Sequence, residues 1–396
     1  MVTPVTLARG PMVEPQQIDH APAVAEFFAG IGLVRIGLER AGFKVAWAND
    51  IERDKKQMYE GHFKDKKDHY FCRDIAEVRI AKIPRVALAW ASFPCIDVSL
   101  AGWRRGLNGE HTGTFWQFIR VLKEMREENR LPPVVALENV SGLATSHGGQ
   151  DLVDAVAALN ELGYSVDVLS LDARHFVPQS RPRLFLVGAL EPPESTSVDD
   201  PVLRPARIRP IFENPALRTH QAVLPKLGEL RSSGLLDYVD VIAADDPLWW
   251  DENRTAAFLG SLSPIQRTRL DELIASENTV YRTAYRRTRQ GKPTWEIRAD
   301  EISGCLRTAR GGSSKQALVK VTGKTVQVRW MTGSEYGKLM GAEGYDLSRL
   351  RRNQALFGFG DAVCVDVVAW LAEHYLYPLV QQASRPAVDL VEALAG

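Results

Sequence analysis

Four cysteines in 396 residues is a sparse supply. Cys72, Cys95, Cys305 and Cys364 are widely scattered with no CxxC spacing, which argues against a zinc site or a disulfide framework and fits a reducing, cytoplasmic setting. Net charge is missing as well. The 49 Lys and Arg residues balance 49 Asp and Glu, so any surface for nucleic acid has to be local. No uninterrupted apolar run approaches the roughly 18 residues that span a bilayer, and no membrane partner is expected. The opening, residues 1–22, lacks the apolar centre of a signal peptide and reads as a flexible tail. Internal repeats and low-complexity tracts are absent too. What is there, 45% hydrophobic and 25% charged, is the composition of a folded chain long enough for two domains.

From residue 23 to about residue 190 short apolar runs alternate with segments of helical period. Strands are expected at 23-AVAEFFA-29, 44-KVAWAN-49, 86-VALAWA-91, 134-VVALEN-139, 166-VDVLSL-171 and 184-LFLVG-188, with helices at 33–42, 114–129 and 151–163 between them. Such alternation predicts an α/β fold with a largely parallel sheet covered on both faces. Ligands of such sheets sit beyond the carboxyl ends of the strands. The proline- and charge-rich stretch 191-EPPESTSVDDPVLRPARIRP-210 marks a boundary, after which 191–328 has weak periodicity and reads as a smaller, irregular domain. Order returns over 329–385, where 332–344 and 361–380 have helical character and the last helix is expected to pack back on the first domain; 386–396 reads as a tail.

Several short stretches carry chemistry. In 27-FFAGIGLVRIGLERAGF-43 a strand ends near Phe28, and Gly30 and Gly32 allow a tight turn that a ligand can approach closely. The third glycine of a dinucleotide fingerprint is missing, which counts against NAD. Asp50 stands about 20 residues further on, where a carboxylate can accept ribose hydroxyls, and Asp74 follows at the next connection. Glu138 ends an apolar strand in 137-LENVSGL-143; a carboxyl there is either paired structurally or held protonated in a dry pocket, ready to donate to a ring nitrogen. Arg181 and Arg183 alternate in 179-QSRPRLFLVG-188 and share one face of an extended chain, suited to a carboxylate, a base edge or a phosphate. Cys95, after Pro94 in 91-ASFPCIDVSLAG-102, reads from these residues alone as a small buried hydrophobe or as a nucleophile.

The order FAGIG, AND, RDI, FPC, ENV, QSRPR and, after a variable segment, GDAV resembles the DNA (cytosine-5)-methyltransferases over 23–188 and 329–380. The resemblance implies a Rossmann-like S-adenosylmethionine-dependent methyltransferase domain, with 191–328 as target-recognition domain. It implies that Cys95 is the nucleophile, Glu138 the acid on cytosine N3, and Arg181 and Arg183 a basic pair in the catalytic pocket. It further implies that Phe28, Ala29, Gly30, Gly32, Asp50, Ile51, Asp74, Ile75, Pro94, Ala362 and Val363 hold S-adenosylmethionine, which leaves as S-adenosylhomocysteine, with no metal. The expected partner is double-stranded DNA, bound with the target base flipped out, and the expected assembly is a monomer. By family analogy the protein marks host DNA beside a cognate restriction or other anti-phage defence system.

Within the second domain, 281-YRTAYRRTRQGKPTW-295 interleaves arginines with aromatics, and 310-RGGSSKQ-316 offers backbone donors. Arg282, Arg286, Arg287, Arg289, Arg310 and Lys315 are the candidate DNA contacts. Two positions depart from the family pattern: Ile96 stands where many members have glutamine, and Asp361 replaces the asparagine of Gly-Asn-x-Val. A tRNA cytosine-5 methyltransferase of the same fold is the alternative reading, and an inactive DNA-binding module is the second.

Overall fold

The computed structural model describes residues 21–65, 69–94, 113–195, 200–276, 278–289, 291–307 and 315–384. The first half alternates β1 (Ala23–Phe27), α1 (Leu33–Arg40), β2 (Lys44–Asp50), α2 (Arg53–Phe63), β3 (Tyr70–Cys72), β4 (Leu88–Ala91), α3 (Gly113–Glu127), β5 (Val134–Val140), α4 (Gln150–Glu161), β6 (Ser165–Asp172) and β7 (Pro182–Ala189). Each strand anticipated from the sequence is present. The short β3 was not anticipated, because its three residues, Tyr-Phe-Cys, are too few to alternate.

These strands form one seven-stranded sheet in the order β3-β2-β1-β4-β5-β7-β6, parallel except for β7, which runs antiparallel to both neighbours. Side chains alternate between two cores: Val24 faces one, Ala25 and Phe27 the other. The helix α3 covers the second core because Phe115, Phe118, Ile119, Leu122 and Met125 recur every three or four residues on one buried stripe. From β1 the chain winds outward to β2 and β3 and then returns to β4 on the other side. The connections after β1 and β4 therefore diverge, and a crevice opens at the carboxyl ends of those strands.

After β7 come α5 (Arg209–Glu213), α6 (Glu252–Gly260) and α7 (Pro264–Ala275). A second sheet follows, built from β8 (Val280–Arg289), β9 (Lys292–Ile297), β10 (Ala317–Thr322) and β11 (Thr325–Trp330) in the antiparallel order β11-β10-β8-β9. It has a core of its own around Phe258, Leu270, Trp295, Val319 and Val328. So 191–328 holds more regular structure than its texture suggested. β8 has no two-residue period to read, because Arg282, Thr283 and Ala284 are buried in succession and Arg286 to Arg289 are exposed in succession.

Not all of that stretch belongs with the second sheet. Thr219 bridges Val166, Leu203 accepts from Ser170 N–H, and Arg204 pairs with the buried Asp167, so residues 200–222 lie along β6 of the main sheet. Ser303 bridges Gln179, and Leu306 packs in a main-sheet core. We therefore propose that the second unit consists of 249–297 and 315–330, shifting the boundaries expected at 191 and 328.

The chain closes with α8 (Gly333–Leu339), α9 (Arg352–Asp361), α10 (Val365–Leu371), a π-helical turn at Ala372–Leu376 and α11 (Tyr377–Ala383). A capping box fixes the start of α8: Thr332 accepts from Glu335 N–H while Glu335 accepts from Thr332 N–H. The run Arg352–Ala383 is long and apolar enough to cross a membrane by length and composition, which the sequence reading had not anticipated. Two thirds of its apolar window is buried, with α10 packed on α1, so it serves as a core helix here.

Candidate active site

The turn after β1 is built from left-handed residues. Phe28 has φ 57°, Gly30 57° and Gly32 82°, which turns the chain sharply into α1. A Cβ added at Gly30 would meet nothing within 4 Å, so this part of the turn faces open space. At Gly32 it would lie 2.4 Å from Phe63 and 2.7 Å from Tyr59, so that glycine is required by packing.

Asp50 ends β2 and holds the same turn. One carboxylate oxygen accepts from Gly30 N–H and the other from Glu52 N–H, both at 2.9 Å. The hydroxyls of Tyr70 and Tyr345 donate to the carbonyls of Gly30 (3.0 Å) and Ile31 (2.8 Å). Ile51 is 60% exposed although apolar. Asp74 accepts from Ala76 N–H at 2.8 Å through one oxygen, and Ile75 beside it is buried. The expected cofactor residues from Phe28 to Ile75 thus stand along one edge of the sheet, at the ends of β1, β2 and β3. Open space before a glycine, a fixed carboxylate and an uncovered apolar side chain suit a nucleoside.

Cys95 lies outside the described residues, but the segment leading to it is tied to the end of β5. Asn139 Nδ2 donates to Phe93 O at 3.2 Å, and the Ser92 hydroxyl is a hydrogen-bond partner of Glu138. Pro94 follows directly. Glu138 is buried, and Arg183 Nε lies 2.9 Å from its Oε1. Burial raises the Glu138 pKa above the ordinary carboxylate range, although Arg183 and Arg181 oppose the shift.

The two arginines divide their work. Arg183 touches Glu138, whereas the buried Arg181 turns its guanidinium to main-chain carbonyls: Leu306 O at 2.6 Å, Gly360 O at 3.0 Å and Ala362 O at 2.5 Å. Arg181 therefore clamps two distant segments, 305–306 and 360–362, against the strand that carries Arg183. Ala362 and Val363 are brought to the site through that clamp. Asp361, the departure from the family asparagine, has Lys55 of α2 as a partner at 3.3 Å.

The model of the C-5 cytosine-specific DNA methylase family matches residues 23–376. The chain belongs to this family. Among curated relatives, it is 31% identical over 169 residues to the type II methyltransferase M.Bsp6I of Bacillus sp. (strain RFL6), covering 42% of this chain and 51% of the relative. It is 34% identical over 172 residues to M.BanI of Aneurinibacillus aneurinilyticus (42% and 38%). With M.HhaI of Haemophilus parahaemolyticus it shares 29% over 163 residues (41% and 47%). The chain thus spans about half or less of the curated relatives it matches. Among solved structures, the S. pombe Dnmt2 methyltransferase superposes with a TM-score of 0.59 at 17% identity, covering 92% of this chain and 100% of that one. A DNA modification methyltransferase encoded within an E. coli prophage superposes at 0.53 and 15%, covering 91% of this chain and 100% of that one. These likenesses establish the methyltransferase fold.

Two ionisable residues, Cys305 and Glu26, were not expected from the sequence. Cys305 places its Sγ 3.4 Å from Arg181 Nη1. Burial pushes its thiol up, but Arg181, Arg183 and Arg307 outweigh this and hold it below the usual thiol range. Glu26, in β1, is fully buried, and burial drives its pKa well above the carboxylate range against the pull of Arg35. Its signal was visible as the acid in 23-AVAEFFA-29; Cys305 had none.

The expected DNA contacts differ in their surroundings. Arg282 pairs with Glu301 (3.0 Å), and Arg287 and Arg289 share Glu296 (3.5 and 2.6 Å). Arg286 is exposed, Lys315 Nζ donates to Asn353 Oδ1 at 2.7 Å, and Arg310 lies outside the described residues. No cluster of His, Cys, Asp or Glu suited to a metal occurs among the described residues.

Proposed function

We infer that the protein methylates C5 of a cytosine flipped out of duplex DNA, through a covalent bond between Cys95 Sγ and cytosine C6. The observation that carries this reading is the buried Glu138, held by Arg183 and Ser92 beside the strand end that leads into Pro94 and Cys95. Family membership and fold support S-adenosylmethionine as cofactor. Gly30, Asp50, Ile51 and Asp74 would hold it, and when bound it supplies an electrophilic methyl on a sulfonium.

Cytosine C5 is a weak nucleophile until electrons are pushed into the ring. Addition of the Cys95 thiolate at C6 does this, breaking the C5–C6 double bond and driving an electron pair toward N3. A protonated Glu138 donates to N3 as that charge develops, and its other oxygen accepts from the exocyclic amine. Arg183 keeps the carboxyl oriented. Once C5 is methylated, loss of its proton to a base re-forms the double bond and expels the thiolate. Ring attack needs access to the base face, hence the flipped base. Marking of host DNA beside a restriction or other anti-phage system, by a cytoplasmic monomer, completes the proposal.

A duplex carrying 5-fluorocytosine tests the covalent step, because fluorine cannot leave as the proton does. The expected result is a protein–DNA adduct that survives denaturation, requires cofactor and is lost in Cys95→Ala. Efficient methylation of ordinary DNA by Cys95→Ala would refute it.

A further inference from the structure

Around Trp330, at the end of β11, three cations converge from separate segments. Arg254 of α6 lies 4.1 Å from the Trp250 ring centroid and 5.5 Å from that of Trp330. Lys315, leading into β10, lies 5.9 Å from Trp330, and Arg352, at the start of α9, donates to the Trp330 carbonyl at 3.3 Å. Trp249, Trp250 and Trp330 line the cleft between them, about 210 Å3 in volume, with Arg254 and Arg352 on its walls.

What distinguishes this cluster is the lack of direct ion pairs. Among the described residues the arginines of β8 that face acids are paired with them, at Glu296 and Glu301, whereas none of Arg254, Lys315 and Arg352 has an ion-pair partner. Two acids act on the cluster without pairing directly, Asp251 on Arg254 and Glu335 on Arg352, and Asp251 also lines the cleft. Burial lowers the pKa of all three cations, and the neighbouring cations lower those of Lys315 and Arg352 further, as expected of unmatched positive charge. Three cations against one lining acid leave a local positive excess in a chain of zero net charge.

Position adds to chemistry. Arg352 opens α9, and Gly360 near its other end accepts from Arg181, two residues before the Arg183 that holds Glu138. Eight residues of helix span about 12 Å. That is roughly three or four base-pair steps of a duplex at about 3.4 Å each. The cleft thus lies one short helix from the segment that Arg181 clamps, within the length of a short duplex.

We propose that the Trp249–Trp250–Trp330 cleft, with Arg254, Lys315 and Arg352, is a seat for the sugar-phosphate backbone of the duplex substrate. The proposal rests on the DNA reading above and adds a contact that positions the duplex without reading its sequence. The tryptophan faces cover sugars while the cations meet phosphate oxygens.

The test measures duplex affinity against salt for wild type, Arg254→Gln, Lys315→Gln, Arg352→Gln and a control of equal charge loss, Lys123→Gln on the far surface of α3. Each cleft variant is expected to weaken binding to all sequences alike and to reduce the slope of log K on log salt by about 1. The control is expected to keep the wild-type slope. S-adenosylhomocysteine affinity, measured in parallel, reports that each variant is folded. Cleft variants with the wild-type slope and normal cofactor binding would overturn the seat while leaving the DNA reading intact. Wild type that binds cofactor but no duplex would overturn both. A slope change for tRNA alone would assign the cleft to RNA instead.

Discussion

Gly30 and Gly32 sit two residues apart in one turn, yet alanine at each should fail differently. Both backbones are left-handed, which costs an L-residue roughly 1–2 kcal/mol. At Gly32 the new methyl would sit 2.4 Å from Phe63 and 2.7 Å from Tyr59. Tyr59 is fully buried against Tyr70, whose hydroxyl holds Gly30, so the rings cannot simply swing away. Overpacking of this kind adds about 1–3 kcal/mol, giving about 2–5 kcal/mol in total for Gly32→Ala. At Gly30 the methyl enters open space, so Gly30→Ala should lose only the roughly 1–2 kcal/mol of backbone strain. If that space belongs to the cofactor, however, S-adenosylhomocysteine affinity should fall at least about tenfold, or ~1.4 kcal/mol. Urea unfolding and titration calorimetry on both variants separate the two effects. Gly30→Ala with wild-type cofactor affinity, or Gly32→Ala no less stable than Gly30→Ala, would refute the reasoning.

Arg181→Met strands three carbonyls, of Leu306, Gly360 and Ala362; at about 1 kcal/mol or more for each, a loss of about 3 kcal/mol or more is expected in urea unfolding. Glu26 should make stability pH-dependent. Its folded pKa lies well above the unfolded value of about 4.3, so stability present in acid is lost as pH rises through the folded value, and Glu26→Gln should flatten that decline in unfolding midpoints measured from acid to mildly alkaline pH. Asp361→Asn removes a solvent-accessible partner of Lys55 and should change stability by less than about 1 kcal/mol while keeping activity; a large loss of either would mean the acid is required.

Much of the catalytic half was legible because its strands are buried on both faces and read as apolar runs bounded by turns. The positions of Gly30, Asp50 and Glu138 at strand ends followed from those runs, whereas Asp74 follows the three-residue β3, which no run announced. Arg181 was half legible: alternation set its face, but its hydrogen bonds go to residues more than 120 positions away, which no local pattern encodes. The second sheet was hidden for a different reason. β8 does not alternate: Arg282, Thr283 and Ala284 are buried in succession, and its arginines 286, 287 and 289 are exposed together, two of them paired with Glu296 of β9. Likewise, residues 200–222 look like a linker in composition, yet a buried pair between Arg204 and Asp167, with Tyr375 as a further donor to that carboxylate, fastens them to the main sheet.

The most direct test of the account supplies labelled S-adenosylmethionine to the wild type and to Cys95→Ala, each with duplex DNA and separately with total tRNA, and maps the DNA product by bisulfite conversion. The expected result is label in DNA, at cytosines sharing one short sequence context, and none from the variant. Label in tRNA alone, or label in neither despite measured cofactor binding, would contradict it.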